Sequence, residues 1–244
     1  MEVLLATMLL LLVIGVPIGY ALGLSSLFYV VFFTDMSPMV VAQQISVGSD
    51  SMVLLALPFF LLAGEIMNQA KITERLTTFA LALIGPPRGG LSFVVIVVNV
   101  LIAMVSGAAI ASAAAVGSTM VPMMEKKGYD KGYAAALNSA AATVGPVVPP
   151  SVGFIIYASV SGTSVGKLFL AGAVPGLLMA AAMIGVSAVI AYRKGHAGGE
   201  RHSASVIWKS FWSALPALFM PVVILGGIFG GVFTPTEAGA VAVG

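Results

Sequence analysis

The chain alternates between long apolar runs and short polar segments, and the lengths of these runs predict its elements. A helix that crosses about 30 Å of hydrocarbon needs about 20 residues. Three runs approach this length, at residues 52–67, 168–192 and 210–233. We therefore predict a spanning helix in each and an all-α integral membrane protein.

A fourth run has a length that fits no whole number of crossings. Between Arg88 and Glu125 lie 36 residues without a charge, too many for one crossing and too few for two with a turn. Its middle, residues 106–118, is small and weakly polar, which suits a tip buried in protein. Residues 89–124 are therefore predicted to form a re-entrant hairpin.

The next charge-free run, between Lys131 and Lys167, is interrupted by residues 145–150, which include three prolines. Proline removes a backbone donor and clashes with the preceding turn, so the pattern predicts a broken helix over residues 132–166. The freed carbonyls around Gly145, Val148 and Pro150 would suit a dehydrated monovalent cation. The alternative is a kink whose carbonyls are satisfied by neighbouring helices.

The remaining segments complete the outline of the chain. Residues 1–70 are predicted to hold scaffold helices, with residues 3–33 forming one kinked helix or two short ones. Residues 71–88 are predicted to form an amphipathic helix through Ile72, Leu76, Phe79 and Leu83. A proline before small residues recurs at residues 15–21 and 233–239, which suggests that a second, inverted repeat begins within residues 210–244.

Composition supports the membrane assignment and limits the function. The chain is 59% hydrophobic and 8% charged, with a mean hydropathy of +1.09, so its surface requires lipid as solvent. A net charge of +2 gives no footprint for nucleic acid. The absence of cysteine from these 244 residues excludes disulfides and thiolate chemistry within them. Both histidines lie in one basic loop and no aspartate lies in an apolar run, so no enzyme is predicted.

Charges in the loops predict a topology. Apart from Lys167, the basic residues lie in residues 71–88, 125–131 and 193–209, which the positive-inside rule places in the cytoplasm. Residues 34–51 form an acidic loop on the other side. Both ends of the predicted hairpin then lie on one side of the membrane.

A few polar side chains in the apolar runs are candidates for chemistry. Ser106, Gly107 and Ser112 lie where two half-helices meet, and helix N-termini there would favour an anionic substrate. Close packing of small residues is the alternative. The other intramembrane polar residues are predicted to make structural hydrogen bonds: Asn99 and Asn138 between helices, Glu65 near Gln69, and Glu237 in a capping box with Thr234.

Five segments in order resemble a known family. They are FFLLAGEIM (59–67), the small-residue stretch 106–122, AATVGPVVPPS (141–151), GKLFLAG (166–172) and FTPTEA (233–238). The chain resembles, along nearly its whole length, the N-terminal half of the large membrane subunit of tripartite ATP-independent periplasmic (TRAP) transporters. The resemblance implies an elevator-type, sodium-coupled importer in the bacterial inner membrane. It also implies a small membrane partner subunit, a periplasmic substrate-binding protein, and an organic acid substrate such as a C4-dicarboxylate or sialic acid.

The resemblance also implies site residues. Sodium would be bound by Ser106, Gly145, Val148 and Pro150. The substrate residues Ser106, Gly107 and Ser112 are predicted from their position at the hairpin tip. The chain departs from the family at Ala108, where members often carry a second serine, and at Ser112, where they often carry an acidic residue. A channel or a non-transporting membrane scaffold subunit is the alternative function.

Overall fold

The computed structural model describes residues 1–243, and of Asn68, Val105 and Ser106 it describes the backbone alone. Within this part of the chain all regular structure is helical, in twelve α-helices, so the predicted all-α class is confirmed. The helices are α1 Glu2–Val13, α2 Ile18–Phe33, α3 Met39–Ser49, α4 Ala56–Gln69, α5 Ile72–Ile84, α6 Gly90–Ser106, α7 Ala109–Lys126, α8 Lys131–Ala142, α9 Val152–Ser161, α10 Val165–Lys194, α11 Ala204–Phe229 and α12 Pro235–Val243.

The chain divides into two compact units, Met1–Ser51 and Met52–Gly244. The first unit contains α1, α2 and α3. Its opening apolar run forms two helices, because Gly15 adopts a φ of +91° and Pro17 starts α2. Gly23 of α2 lies within reach of the Ile45 side chain of α3, so the second and third helices contact each other.

Two segments predicted as loops are partly helical, and these predictions were wrong. Residues 34–51 contain α3, and residues 193–209 contain the first turns of α11, which begins at Ala204. The bounds of both segments were predicted from the polarity of their residues. A polar residue such as Lys209 marks exposure of one face and leaves the backbone free to stay helical.

The second unit is built around two apolar cores. The first lies among α5, α6, α7 and α8, with contributions from the end of α4 and from α11, and Leu91, Val95 and Met120 are buried in it. The second joins α4, α9, α10, α11 and α12 around Phe169 and Ile224. In α5, Leu76 is buried, whereas Leu83 is 55% exposed and lies on the outer face.

Two of the described helices, α10 and α11, are long and apolar enough to cross a membrane. Their outer faces carry large apolar side chains, and Leu178 and Val222 are 64% and 63% exposed. Such faces suit lipid rather than water. The span predicted at residues 52–67 is observed as α4, whose 14 residues fall short of the length expected for one crossing.

The three basic segments lie together in the second unit. Gly199 N donates to Gly85 O at 2.7 Å, and Tyr129 Oη donates to Ala197 O at 2.9 Å. The ring of His196 lies 4.2 Å from that of Tyr129, between centroids. We call residues 195–200 the docked loop; its contacts join the segments that charge had placed on one side of the membrane.

Candidate functional site

The tip of the helical hairpin is a two-residue connection. α6 ends at Ser106 and α7 begins at Ala109, so that only Gly107 and Ala108 lie between them. Gly107 has a φ of +61°, and a Cβ there would lie 2.8 Å from Val152 Cγ2 and 3.1 Å from Val152 N. Both the backbone conformation and the lack of space therefore require glycine.

The second part of the site is the interruption between α8 and α9, which we call the break (residues 143–151). Its first residues form tight turns, with Gly145 N donating to Ala142 O at 3.1 Å and Val147 N to Val144 O at 3.0 Å. Ser151 ends the break by accepting from Phe154 N and donating to Pro146 O at 2.5 Å. The break is thus an ordered, non-helical segment.

Proline alone does not explain the break. Single prolines lie inside continuous helices at Pro122, Pro175, Pro216 and Pro221. The cluster of Pro146, Pro149 and Pro150 removes three donors within five residues, more than the helix tolerates. Within the described residues, no hydrogen bond ends on the carbonyl oxygens at the three predicted positions, which are Gly145, Val148 and Pro150.

The hairpin tip and the break are in contact. Gly107 lies against Val152, where α9 begins, and Gly145 lies so close to Ala103, in the last turn of α6, that a Cβ on Gly145 would overlap the Ala103 methyl group. Four helix ends therefore meet here: the C-termini of α6 and α8 and the N-termini of α7 and α9. Helix C-termini favour cations and helix N-termini favour anions, so the arrangement can hold a cation and an anionic group near each other.

A pair of glycines on α10, which were not among the predicted site residues, allows the break to approach this helix. A Cβ on Gly172 would come 2.5 Å from Val147 O, and one on Gly176 would come 2.5 Å from Val148 Cγ2. The two glycines are four residues apart, a small-xxx-small spacing that is typical of close helix contacts in membranes. This signal was present in the sequence.

The predicted substrate residues differ in their surroundings. The side chain of Ser106, predicted for both sodium and substrate, lies outside the described residues. Gly107 N donates to Ala103 O at 2.7 Å and so caps α6. Ser112 is fully buried. Its hydroxyl donates to Ala109 O at 3.0 Å, which is a hydrogen bond within the first turn of α7.

The other intramembrane polar residues make the structural hydrogen bonds that were predicted. Asn99 Nδ2 donates to Asn138 Oδ1 at 3.0 Å, which joins α6 and α8. Gln69 Nε2 donates to Glu65 Oε1 at 3.1 Å. Thr234 N donates to Glu237 Oε2 at 2.8 Å, one half of the expected capping box.

A cavity of about 160 Å³ lies between the hairpin and the preceding helices. The hairpin contributes small side chains at Ala108, Ala111 and Ala115, and Glu65 and Thr73 provide polar groups from α4 and α5. The cavity therefore separates part of the hairpin from α4 and α5.

Comparison with known proteins extends over almost the whole chain. Residues 5–244 match the family model described as "Tripartite ATP-independent periplasmic transporter, DctM component". The chain is 46% identical over 235 residues to "Uncharacterized protein YgiK" of Salmonella typhimurium, covering 95% of this chain and 54% of that protein.

The names of two further relatives describe them as transporter permeases. The chain is 42% identical over 230 residues to "2,3-diketo-L-gulonate TRAP transporter large permease protein YiaN" of Escherichia coli, covering 94% of this chain and 54% of that protein. It is 41% identical over 228 residues to "Sialic acid TRAP transporter large permease protein SiaM" of Vibrio cholerae, covering 93% and 53%. The chain thus spans about half the length of the curated relatives it matches.

Proposed function

Since the chain belongs to the DctM family of tripartite ATP-independent periplasmic transporters, we propose that it forms part of the large membrane subunit of a sodium-coupled importer of organic acids. The contact between the hairpin tip and the break carries this proposal. Gly107 on Val152 and Gly145 on Ala103 bring two helix C-termini and two helix N-termini to one place. The C-terminal carbonyls suit sodium, and the N-terminal amides suit a carboxylate.

Sodium is assigned to backbone oxygens of the break. Gly145, Val148 and Pro150 are buried, and within the described residues their carbonyls receive no hydrogen bond. A buried carbonyl without a donor is costly, and a dehydrated monovalent cation removes that cost. Ser106 would complete the site from the end of α6. The substrate carboxylate is assigned to the hairpin tip at Ser106–Gly107, together with Ser112 in the first turn of α7.

The mechanism is of the elevator type. The two helices of the hairpin pack with α8 in one apolar core, and the hairpin tip contacts the start of α9, so these helices would move together as the transport domain. The cavity beside Glu65 lies between the hairpin and helices α4 and α5, where the moving and the stationary parts would meet. A small membrane subunit and a periplasmic binding protein complete the transporter in the bacterial inner membrane. The relatives named for diketogulonate and sialic acid support an organic acid as the substrate.

Uptake into proteoliposomes tests the function directly. The full-length subunit, its membrane partner and its binding protein are reconstituted, and uptake of labelled acids is measured with sodium or choline outside. Uptake is expected to require sodium and the binding protein. Equal uptake in choline would reject sodium coupling, and flux without the binding protein would indicate a channel.

A matched pair of proline variants tests the sodium site. The double variant Pro149→Ala with Pro150→Ala restores two backbone donors in the break, whereas Pro175→Ala restores one inside the continuous helix α10. The first is expected to raise the sodium concentration for half-maximal uptake about 10-fold or more, equivalent to one lost ligand interaction. Pro175→Ala should leave it unchanged. Equal sodium responses in the two variants would contradict the assignment.

A further inference from the structure

Two asparagines form a hydrogen-bonded pair inside the apolar core of the second unit. Asn99 is 0% exposed and Asn138 is 6% exposed, among buried apolar residues that include Val95 and Val116. Asn99 Nδ2 donates to Asn138 Oδ1 at 3.0 Å, and Asn138 Nδ2 donates to Ala113 O at 2.8 Å. One polar connection therefore links both helices of the hairpin to α8.

The direction of the connection is fixed by its acceptors. Asn99 Nδ2 also donates to Val95 O at 2.9 Å, so both of its hydrogens point at oxygen atoms. Turning the Asn99 amide by 180° would place its oxygen against two acceptors. Asn99 Oδ1 is left buried and, within the described residues, without a partner.

The Asn99–Asn138 pair is expected to contribute little to the stability of the fold. A buried acceptor without a donor costs about 1–3 kcal/mol, and replacing both partners by apolar groups of similar shape is nearly neutral or stabilising. Apolar contacts between Val and Ala side chains tolerate small shifts of one helix along another, whereas a hydrogen-bonded pair fixes one register. The pair therefore specifies position more than it stabilises the fold.

The pair lies close in sequence to both parts of the site. Asn99 precedes Ser106 by seven residues of α6, which rise about 10 Å, so it lies two helical turns from the tip. Asn138 lies one helical turn before the end of α8 at Ala142, where the break begins. On the third helix, a Cβ at Gly117 would come 2.6 Å from Asn138 Nδ2, so α7 must present glycine for the amide to fit.

We propose that Asn99 and Asn138 are positioning residues that hold the hairpin tip in register with the break, so that sodium ligands from both parts meet. This inference rests on the proposed function for its ligand. The positioning itself is a property of α6, α7 and α8 and can be measured without sodium.

Leucine variants separate positioning from stability. Asn99→Leu and Asn138→Leu each leave one buried amide without its partner, so each should lower the apparent unfolding temperature of the full-length protein. The double variant removes both amides and should regain most of that loss. All three should raise the sodium concentration for half-maximal uptake about five-fold or more. A double variant with the parental sodium response would overturn the proposal.

Spin labels measure the register directly. This chain has no cysteine, so Ile110→Cys near the tip and Tyr157→Cys on α9 can be labelled selectively once any cysteine outside residues 1–244 is replaced. Both side chains are exposed, at 86% and 60%. The distance distribution between the labels is expected to be narrow in the parental background and broader or shifted in the double leucine variant.

The outcomes distinguish the two proposals. An unchanged, narrow distribution in the double leucine variant would overturn the positioning role. If parental uptake proves independent of sodium while the distribution broadens, the proposed sodium coupling fails and the positioning role stands.

Discussion

Replacing Gly107 by alanine tests the contact between the hairpin tip and the break. Gly107 is the C-cap of α6, with a φ of +61°, and a Cβ there would lie 2.8 Å from Val152 Cγ2 and 3.1 Å from Val152 N. Gly162 is the C-cap of α9, with a φ of +68°, and a Cβ there would meet nothing within 4 Å. Gly162→Ala is therefore a matched control that differs in the steric contact.

The magnitude follows from two separate costs. Alanine in the left-handed conformation costs roughly 1–2 kcal/mol, and both variants incur this cost. Only Gly107→Ala adds overpacking, because the new methyl group must displace Val152 or move the tip away from α9. Overpacking of this kind typically costs about 1–3 kcal/mol. The difference between the variants is therefore expected to be about 1–3 kcal/mol.

The assay is thermal unfolding of the full-length protein in detergent, followed by tryptophan fluorescence. Each kcal/mol corresponds to roughly 2–4 °C for 150–250 residues and to less for a longer chain, so Gly107→Ala should unfold measurably below Gly162→Ala. Sodium affinity should fall in Gly107→Ala alone, because only its tip is displaced. Equal unfolding temperatures and equal sodium affinities in the two variants would refute the contact.

Two predictions concern the docked loop. Burial, and secondarily the charge of Lys194, lower the pKa of His196 below 6.5. The stability that neutral His196 contributes is therefore complete above pH 6.5 and is lost as the pH falls through the folded-state pKa. The unfolding temperature should therefore drop between pH 7.5 and 5.5, and the drop should be smaller in His196→Phe; identical pH profiles would refute this. Tyr129→Phe removes the hydrogen bond to Ala197 O and should cost about 1 kcal/mol by denaturant unfolding, whereas Lys127→Met removes an exposed ion pair and should cost under about 0.5 kcal/mol. A larger loss in Lys127→Met than in Tyr129→Phe would contradict this reasoning.

Several features of the fold follow from local sequence. The proline cluster predicted an interruption between Lys131 and Lys167, and the structure has one at residues 143–151. Its position could be predicted because a missing donor is a property of the residue itself. The capping box of Thr234 and Glu237 is equally local, since its partners lie three residues apart.

Predictions based on polarity alone were less successful. α3 was missed because residues 34–51 carry no long apolar run, and the apolar stripe of α5 did not show that Leu76 is buried whereas Leu83 is 55% exposed. In a membrane protein, outward residues are as apolar as buried ones, so hydrophobic periodicity does not distinguish the two faces.

What the sequence by itself determined is where some helices stop, at the proline cluster and at glycines such as Gly107, because these effects act through neighbouring residues of the backbone. Only the tertiary structure determined which helix ends come into contact. The contact of Gly145 with Ala103, the fit of Val148 against Gly176 and the bond between Asn99 and Asn138 each join residues at least 28 positions apart. Such partners are selected by the shapes of packed helices, which no single segment contains.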